Sequence, residues 1–148
     1  MNLSDPINIR GRHFANRSVL APMVPNCAGK DGAVTDEYTS FYLARAQVGY
    51  LILGAAYVHP TGQGFERQLG IYDDTLIPGL TRLVQRLEHH THTAVQLSFK
   101  SVGRLPETFK RDEIDKIREA FVRAAVRAQK CGFTAVELHA CHDYWLNY

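Results

Sequence analysis

An α/β fold built on a parallel sheet follows from three features of the sequence. Four short apolar runs alternate with three segments of helical periodicity, giving the order βαβαβαβ, which calls for parallel strands and right-handed crossovers. Two of the runs, around residues 50–56 and 94–97, lack the polar alternation of a half-solvated strand, as expected for strands covered on both faces. The chain has 148 residues, 45% of them hydrophobic and 22% charged, which suits one ordinary domain with a core rather than a disordered segment.

The elements are read in order. After a polar N-terminal stretch, Ser18-Val19-Leu20-Ala21-Pro22-Met23 is predicted as a short buried strand stopped by Pro22 and Pro25. Asn26 to Thr35, with Gly29 and Gly32, reads as a loop. A helix is expected from Asp36 to Gln47, with Tyr38, Phe41, Tyr42 and Ala46 on one face and Thr35 or Asp36 as cap. The second strand is Tyr50 to Ala56. A polar, glycine-rich loop from His59 to Asp74 leads into a helix carrying Ile77, Leu80, Leu83, Val84 and Leu87, with Pro78 tolerated in its first turn. Ala94-Val95-Gln96-Leu97 is the third strand. From Asp112 to Lys130 the spacing of Ile114, Ile117, Phe121, Ala124, Ala125 and Ala128 gives the clearest helix, stopped by Gly132. Ala135 to His139 is the fourth strand. No repeat or linker interrupts residues 1–148, so a single domain is expected.

Composition narrows the function classes. A net charge of +2 argues against nucleic-acid binding driven mainly by charge. No apolar run approaches the roughly 18 residues of a membrane span, and MNLSDPINIRGR lacks the apolar core of a signal peptide; the expectation is a soluble cytoplasmic protein with no membrane association. Cys27, Cys131 and Cys141 are odd in number and irregularly spaced, which implies no disulfide framework.

Several segments, in one order, resemble a known family. Asn16 to Met23 resembles the first barrel strand of the old yellow enzymes, the FMN-dependent NAD(P)H:flavin oxidoreductases and ene-reductases. Asp31-Gly32-Ala33-Val34-Thr35, Tyr42 and Arg45-Ala46 are similar to the loop and helix that follow in that family. So are Leu69 to Asp74 and Ile77 to Leu80. Gln96-Leu97 with Gly103-Arg104 resembles the third-strand motif, and Gly132 to Tyr144 the fourth-strand motif. The resemblance implies the first half of an eight-stranded TIM barrel, since such barrels take about 250 residues. The strands of the second half and the late loops that grip the FMN phosphate lie outside it, and the long family loop between Arg104 and Pro106 has nearly vanished.

Active sites of parallel barrels gather at the C-terminal ends of the strands. By the resemblance, His139 and His142 match the pair that holds the carbonyl oxygen of an enone or a phenolate, where two donors stabilise developing negative charge. Tyr144 matches the residue that gives a proton to the α-carbon. On residue chemistry alone, two histidines and a tyrosine near a chain end read more readily as surface polar groups. Asp143 replaces a glycine of the motif and is strained if its φ is positive. Gln96 matches a glutamine that bonds the flavin pyrimidine ring, a task suited to an amide with both donor and acceptor; the bland reading is a buried strand amide needing a partner. Ala21, Pro22 and Met23 match the segment lining the flavin and also read as ordinary strand-end packing; Ala55 falls where a small residue flanks the flavin in that family. Phe99 stands where many relatives carry His, and an extra residue precedes Arg104. Cys27 lies too far past the first strand for a flavin-tuning cysteine. No metal is expected: His139, Cys141 and His142 are loosely spaced, and strand alternation sends Cys141 away from the histidines. His89, His90 and His92 read as a cluster suited to a helix C-terminus.

Two functions follow. In the first, FMN passes hydride from NAD(P)H to an enone-type substrate, with a second half-barrel supplied by another copy or a separate chain. In the second, the chain is a non-catalytic remnant or interaction subunit without flavin, which a solvent-facing Tyr144 would support. Open edges on the first and fourth strands predict a homodimer or larger oligomer, or a chain that completes the barrel.

Overall fold

The polar N-terminal stretch forms a hairpin that the sequence reading does not anticipate. Ile7–Ile9 (β1) pairs antiparallel with Arg12–Phe14 (β2), Ile9 opposite Arg12. The two-residue turn places Arg10 at φ 49° and Gly11 at φ 78°, both left-handed, as a hairpin turn matched to strand twist requires. Arg-Gly is a weaker signal for that turn than Asn-Gly, and strands of three residues show little periodicity. The computed structural model describes residues 2–101 and 104–147, so Gly103 of the third-strand motif lies outside the described residues.

The four predicted strands are present and parallel: Val19–Leu20 (β3), Tyr50–Tyr57 (β4), His92–Ser98 (β5) and Ala135–Leu138 (β6), in the spatial order β3-β4-β5-β6. Between them run Asp36–Leu43 (α1), Ile77–Glu88 (α2) and Arg111–Lys130 (α3). The expected strand Ser18–Met23 is only two residues long and Val19 is exposed, because Pro22 and Pro25 supply no N–H for pairing and the sheet ends beside it. The first helix stops at Leu43 rather than Gln47. Its start is as expected: Thr35 caps it, Oγ1 accepting from the Tyr38 N–H at 3.0 Å. α3 ends in a Schellman arrangement, with Gly132 at φ 92°, its N–H donating to Gln129 and the Phe133 N–H to the Ala128 carbonyl.

Register assigns the faces. Leu53 lies opposite Val95, and Val95 and Leu97 opposite Val136 and Leu138. Leu51, Leu53, Val95 and Leu97 join Leu80, Leu83, Leu87, Ile117 and Ala124 in the core between sheet and helices. Tyr50, Ile52, Ala94, Gln96 and Glu137 fall on the other face by alternation. The hairpin closes the N-terminal end of the sheet: the Phe14 ring meets Tyr50 edge-on at 5.5 Å and His92 at 5.0 Å. His92 thus opens β5, its Nε2 2.9 Å from the His13 carbonyl, and is not part of a helix-end cluster.

One irregularity lies near the C-terminal end of the sheet. Between Leu53–Val95 and Ala56–Leu97, β4 carries one residue more than β5, a bulge at Gly54-Ala55. Gly54 is required there, since a Cβ would stand 2.0 Å from the Met23 carbonyl oxygen. Among the described residues no helix is long and apolar enough to cross a membrane.

Candidate active site

The segment after β3 is fixed by a tyrosine in α1. Tyr42 Oη accepts from the Gly54 N–H at 2.8 Å and donates to the Met23 carbonyl at 3.1 Å, bracing Ala21-Pro22-Met23 against the bulge of β4. Burial raises the Tyr42 pKa, so the hydroxyl stays protonated and keeps both bonds. Ala55, on that bulge, is buried, and its carbonyl accepts from Gln68 Nε2 at 2.6 Å. Gln68 is wholly buried, and its Oε1 takes the N–H groups of Gly64 and Phe65 at 2.7 and 3.2 Å. One amide therefore pins the loop after β4 onto the strand end. Nothing in the sequence singles out Gln68, because a single glutamine in a glycine-rich stretch carries no periodic signal.

On β5 the Gln96 side chain is buried, and its Nε2 donates to Glu137 Oε1 on β6 at 2.6 Å. Glu137 is a second residue missed; the pairing was visible only as two polar residues inside apolar strands. The bond uses one of Gln96's amide hydrogens, leaving the other and Oε1.

His139 follows β6 directly, its N–H donating to the Leu97 carbonyl at 3.0 Å. Its ring packs edge-on against Tyr144 at 4.3 Å, and the His142 ring lies 5.6 Å away. The three predicted catalytic residues are thus brought together. His139 is 8% exposed, and burial, with His142 beside it, lowers its pKa and favours the neutral imidazole. Tyr144 is 3% exposed; burial raises its pKa, so it is held as a phenol. Its hydroxyl reaches under Gly64, where a Cβ would stand 2.7 Å from it, and Lys100 Nζ lies 5.2 Å from its ring centre.

Two residues at the turn after His139 depart from ordinary backbone. His142 and Asp143 have φ 54° and 56°, consecutive left-handed residues, so Asp143 does occupy a conformation that favours glycine. The turn also corrects the placement of Cys141: its Sγ lies 3.7 Å from His139 Nδ1 and 3.2 Å from His142 Nδ1. Strand alternation in fact keeps Cys141 on the side of His139, two residues before it, and the turn beyond Leu138 brings His142 round as well.

Arg104 and Phe99 are committed elsewhere. Arg104 forms a two-pronged pair with Glu113 at 2.8 and 3.3 Å and stacks 3.9 Å over the Phe109 ring. The Arg104 guanidinium and the Lys110 N–H lower the Glu113 pKa to about 2. Phe99 is buried against Gly62 and meets Trp145 edge-on at 6.1 Å, beside Phe109. Cys27 is buried, and its thiol pKa is pushed up by that burial.

Residues 2–108 match the NADH:flavin oxidoreductase / NADH oxidase family. The chain is 35% identical to the NADPH dehydrogenase of Geobacillus thermodenitrificans over 98% of its own length and 49% of that protein's. With the NADPH dehydrogenase of Halalkalibacterium halodurans the identity is 32%, over 94% and 48%. Among solved structures, the old yellow enzyme from Pichia sp. AKU4542 superposes with a TM-score of 0.89 at 23% identity, over 99% of this chain and 47% of that one. A variant of NCR from Zymomonas mobilis gives 0.84 at 27% identity, over 98% and 48%. The chain therefore spans about half the length of these relatives, and its sheet and helices correspond to part of their barrel.

Proposed function

The chain belongs to the NADH:flavin oxidoreductase / NADH oxidase family, and from that premise we propose that it forms the substrate-facing half of an FMN-dependent, NAD(P)H-driven reductase of enones. The observation that carries the reading is the meeting of His139, His142 and Tyr144 at the end of β6, beside the buried amide of Gln96 on the neighbouring strand.

These residues suit FMN. Gln96 keeps a donor and an acceptor for the pyrimidine edge, Ala55 presents no bulk, and Ala21-Pro22-Met23 offers a strand end held rigid by Tyr42. When bound, FMN supplies the hydride that reaches the substrate's β-carbon. The protein's own part is to bind and protonate. His139 and His142 donate to the carbonyl oxygen, and the neutral state of His139 leaves it one N–H to give. Tyr144, kept protonated by burial, delivers its phenolic proton to the α-carbon. A remnant with Tyr144 in solvent is disfavoured, since that ring is enclosed.

The helix-side face of β6 bears exposed Val136 and Leu138, and beside it α3 exposes Val122 and Val126. We assign this face to the remaining half-barrel, whether from a second copy, a separate chain or further residues of a longer one, and the location to the cytoplasm. The test is reoxidation of NADPH-reduced, FMN-loaded protein by a cyclic enone. Tyr144→Phe should slow it by roughly 10²–10⁴-fold with FMN affinity unchanged; reoxidation at the unaltered rate would contradict the assignment.

A further inference from the structure

We propose that His139, Cys141 and His142 form a site for a borderline transition-metal cation of the Zn²⁺ type. The three ligand atoms lie within 4.8 Å of one another. The two imidazoles present the same atom, Nδ1, to one sulfur at 3.7 and 3.2 Å. A tetrahedral ion with bonds of about 2.1 Å to nitrogen and 2.3 Å to sulfur holds such pairs at roughly 3.5 Å, between the two separations found. The convergence has a structural cause: His139 and Cys141, two residues apart, share a side of the extended chain leaving β6, and left-handed His142 and Asp143 turn the chain so that neighbouring His142 joins them. The Tyr144 N–H closes that turn on the Cys141 carbonyl at 3.2 Å.

The donor set selects the ion. One thiolate with two neutral imidazoles is softer than the carboxylate and carbonyl cages of Ca²⁺ or Mg²⁺ and suits Zn²⁺, Co²⁺ or Cu²⁺. Three protein ligands leave the fourth position to water, the pattern of an open site rather than a closed structural one. Binding makes one metal–sulfur and two metal–nitrogen bonds and releases the Cys141 thiol proton to solvent. An ion on both Nδ1 atoms leaves each remaining proton on Nε2, so it locks both imidazoles in one tautomer. The site shares His139 and His142 with the proposed carbonyl-binding pair, which couples metal occupancy to substrate binding. It does not depend on flavin.

Co²⁺ is the probe, added to flavin-free protein. Of the three cysteines Cys27 and Cys131 are buried and Cys141 is exposed, so a sulfur-to-metal absorption band reports Cys141. The expected result is a near-ultraviolet thiolate band that saturates at one Co²⁺ per chain and is displaced by Zn²⁺. Cys141→Ser, an exposed change that spares the fold, should abolish the band, and His142→Ala should weaken Co²⁺ binding by at least roughly 10–100-fold. Zn²⁺ should also protect one fast-reacting thiol from alkylation. No thiolate band at saturating Co²⁺, a band that survives in Cys141→Ser, or binding lost only with His89 and His90 would overturn the proposal. FMN titration of the same preparation keeps the two readings apart, since either can fail while the other stands.

Discussion

The inner strands β4 and β5 and the edge strand β6 are made of the same residue types and meet opposite fates. Leu53, Val95 and Leu97 are 0% exposed under α1, α2 and α3, whereas Val136 and Leu138, on the same side of the sheet, are 39% and 57% exposed. The difference teaches that an apolar strand is not itself a core: burial comes from what crosses over it. It also separates two tasks. The covered strands give rigidity to Gln96 and Ala55, while the uncovered strand carries His139 and the turn that follows it.

The largest expected effect breaks this contrast directly. Leu53→Ala should cost about 2–5 kcal/mol in chemical denaturation, while Leu138→Ala in the chain alone should shift stability by no more than about 0.5 kcal/mol. If a partner covers β6, Leu138→Glu should convert the assembly to monomer in light scattering. Equal losses for the two alanine variants would show that the edge is packed in solution.

The next tests the bracing of the strand ends. Tyr42→Phe leaves the Gly54 N–H and the Met23 carbonyl without their common partner and should cost about 1–3 kcal/mol, read from the denaturation midpoint. Smaller, and of opposite sign, is Asp143→Gly. It relieves a left-handed aspartate and should stabilise by about 1 kcal/mol; no gain would mean that the aspartate makes a compensating contact.

The smallest effect concerns pH. Glu113 has a folded pKa of about 2, below its ordinary value of 4.5, so its contribution is fully present above pH 4.5 and is lost as pH falls toward 2. Glu113→Gln should flatten the stability profile in that window and lower stability by a constant amount above it, neutrality included. A profile unaffected by the substitution would mean that Arg104 and Glu113 do not pair in solution.

The sequence made the alternation of strands and helices legible, because long helices such as α3 repeat their apolar spacing many times. It hid the β1–β2 hairpin, whose three-residue strands are too short for a period, and the bulge at Gly54-Ala55, which depends on how closely the Met23 backbone approaches. His139, His142 and Tyr144 could be singled out through the fourth-strand motif. Gln68 could not, since its role rests on four partners scattered along the chain, and Cys141 was misplaced because residues two apart share a strand face and the turn at His142 could not be foreseen.

In the proposed reading the C-terminal ends of β3, β4 and β5 hold FMN, with the Gln96 amide at its pyrimidine edge. Titrating FMN into the purified protein in its native assembly, followed by the visible absorption of the flavin, tests it most directly. Saturable binding at one FMN per site, weakened roughly tenfold by Gln96→Ala, is the predicted result. Absence of saturable binding, or an affinity that Gln96→Ala leaves untouched, would contradict it.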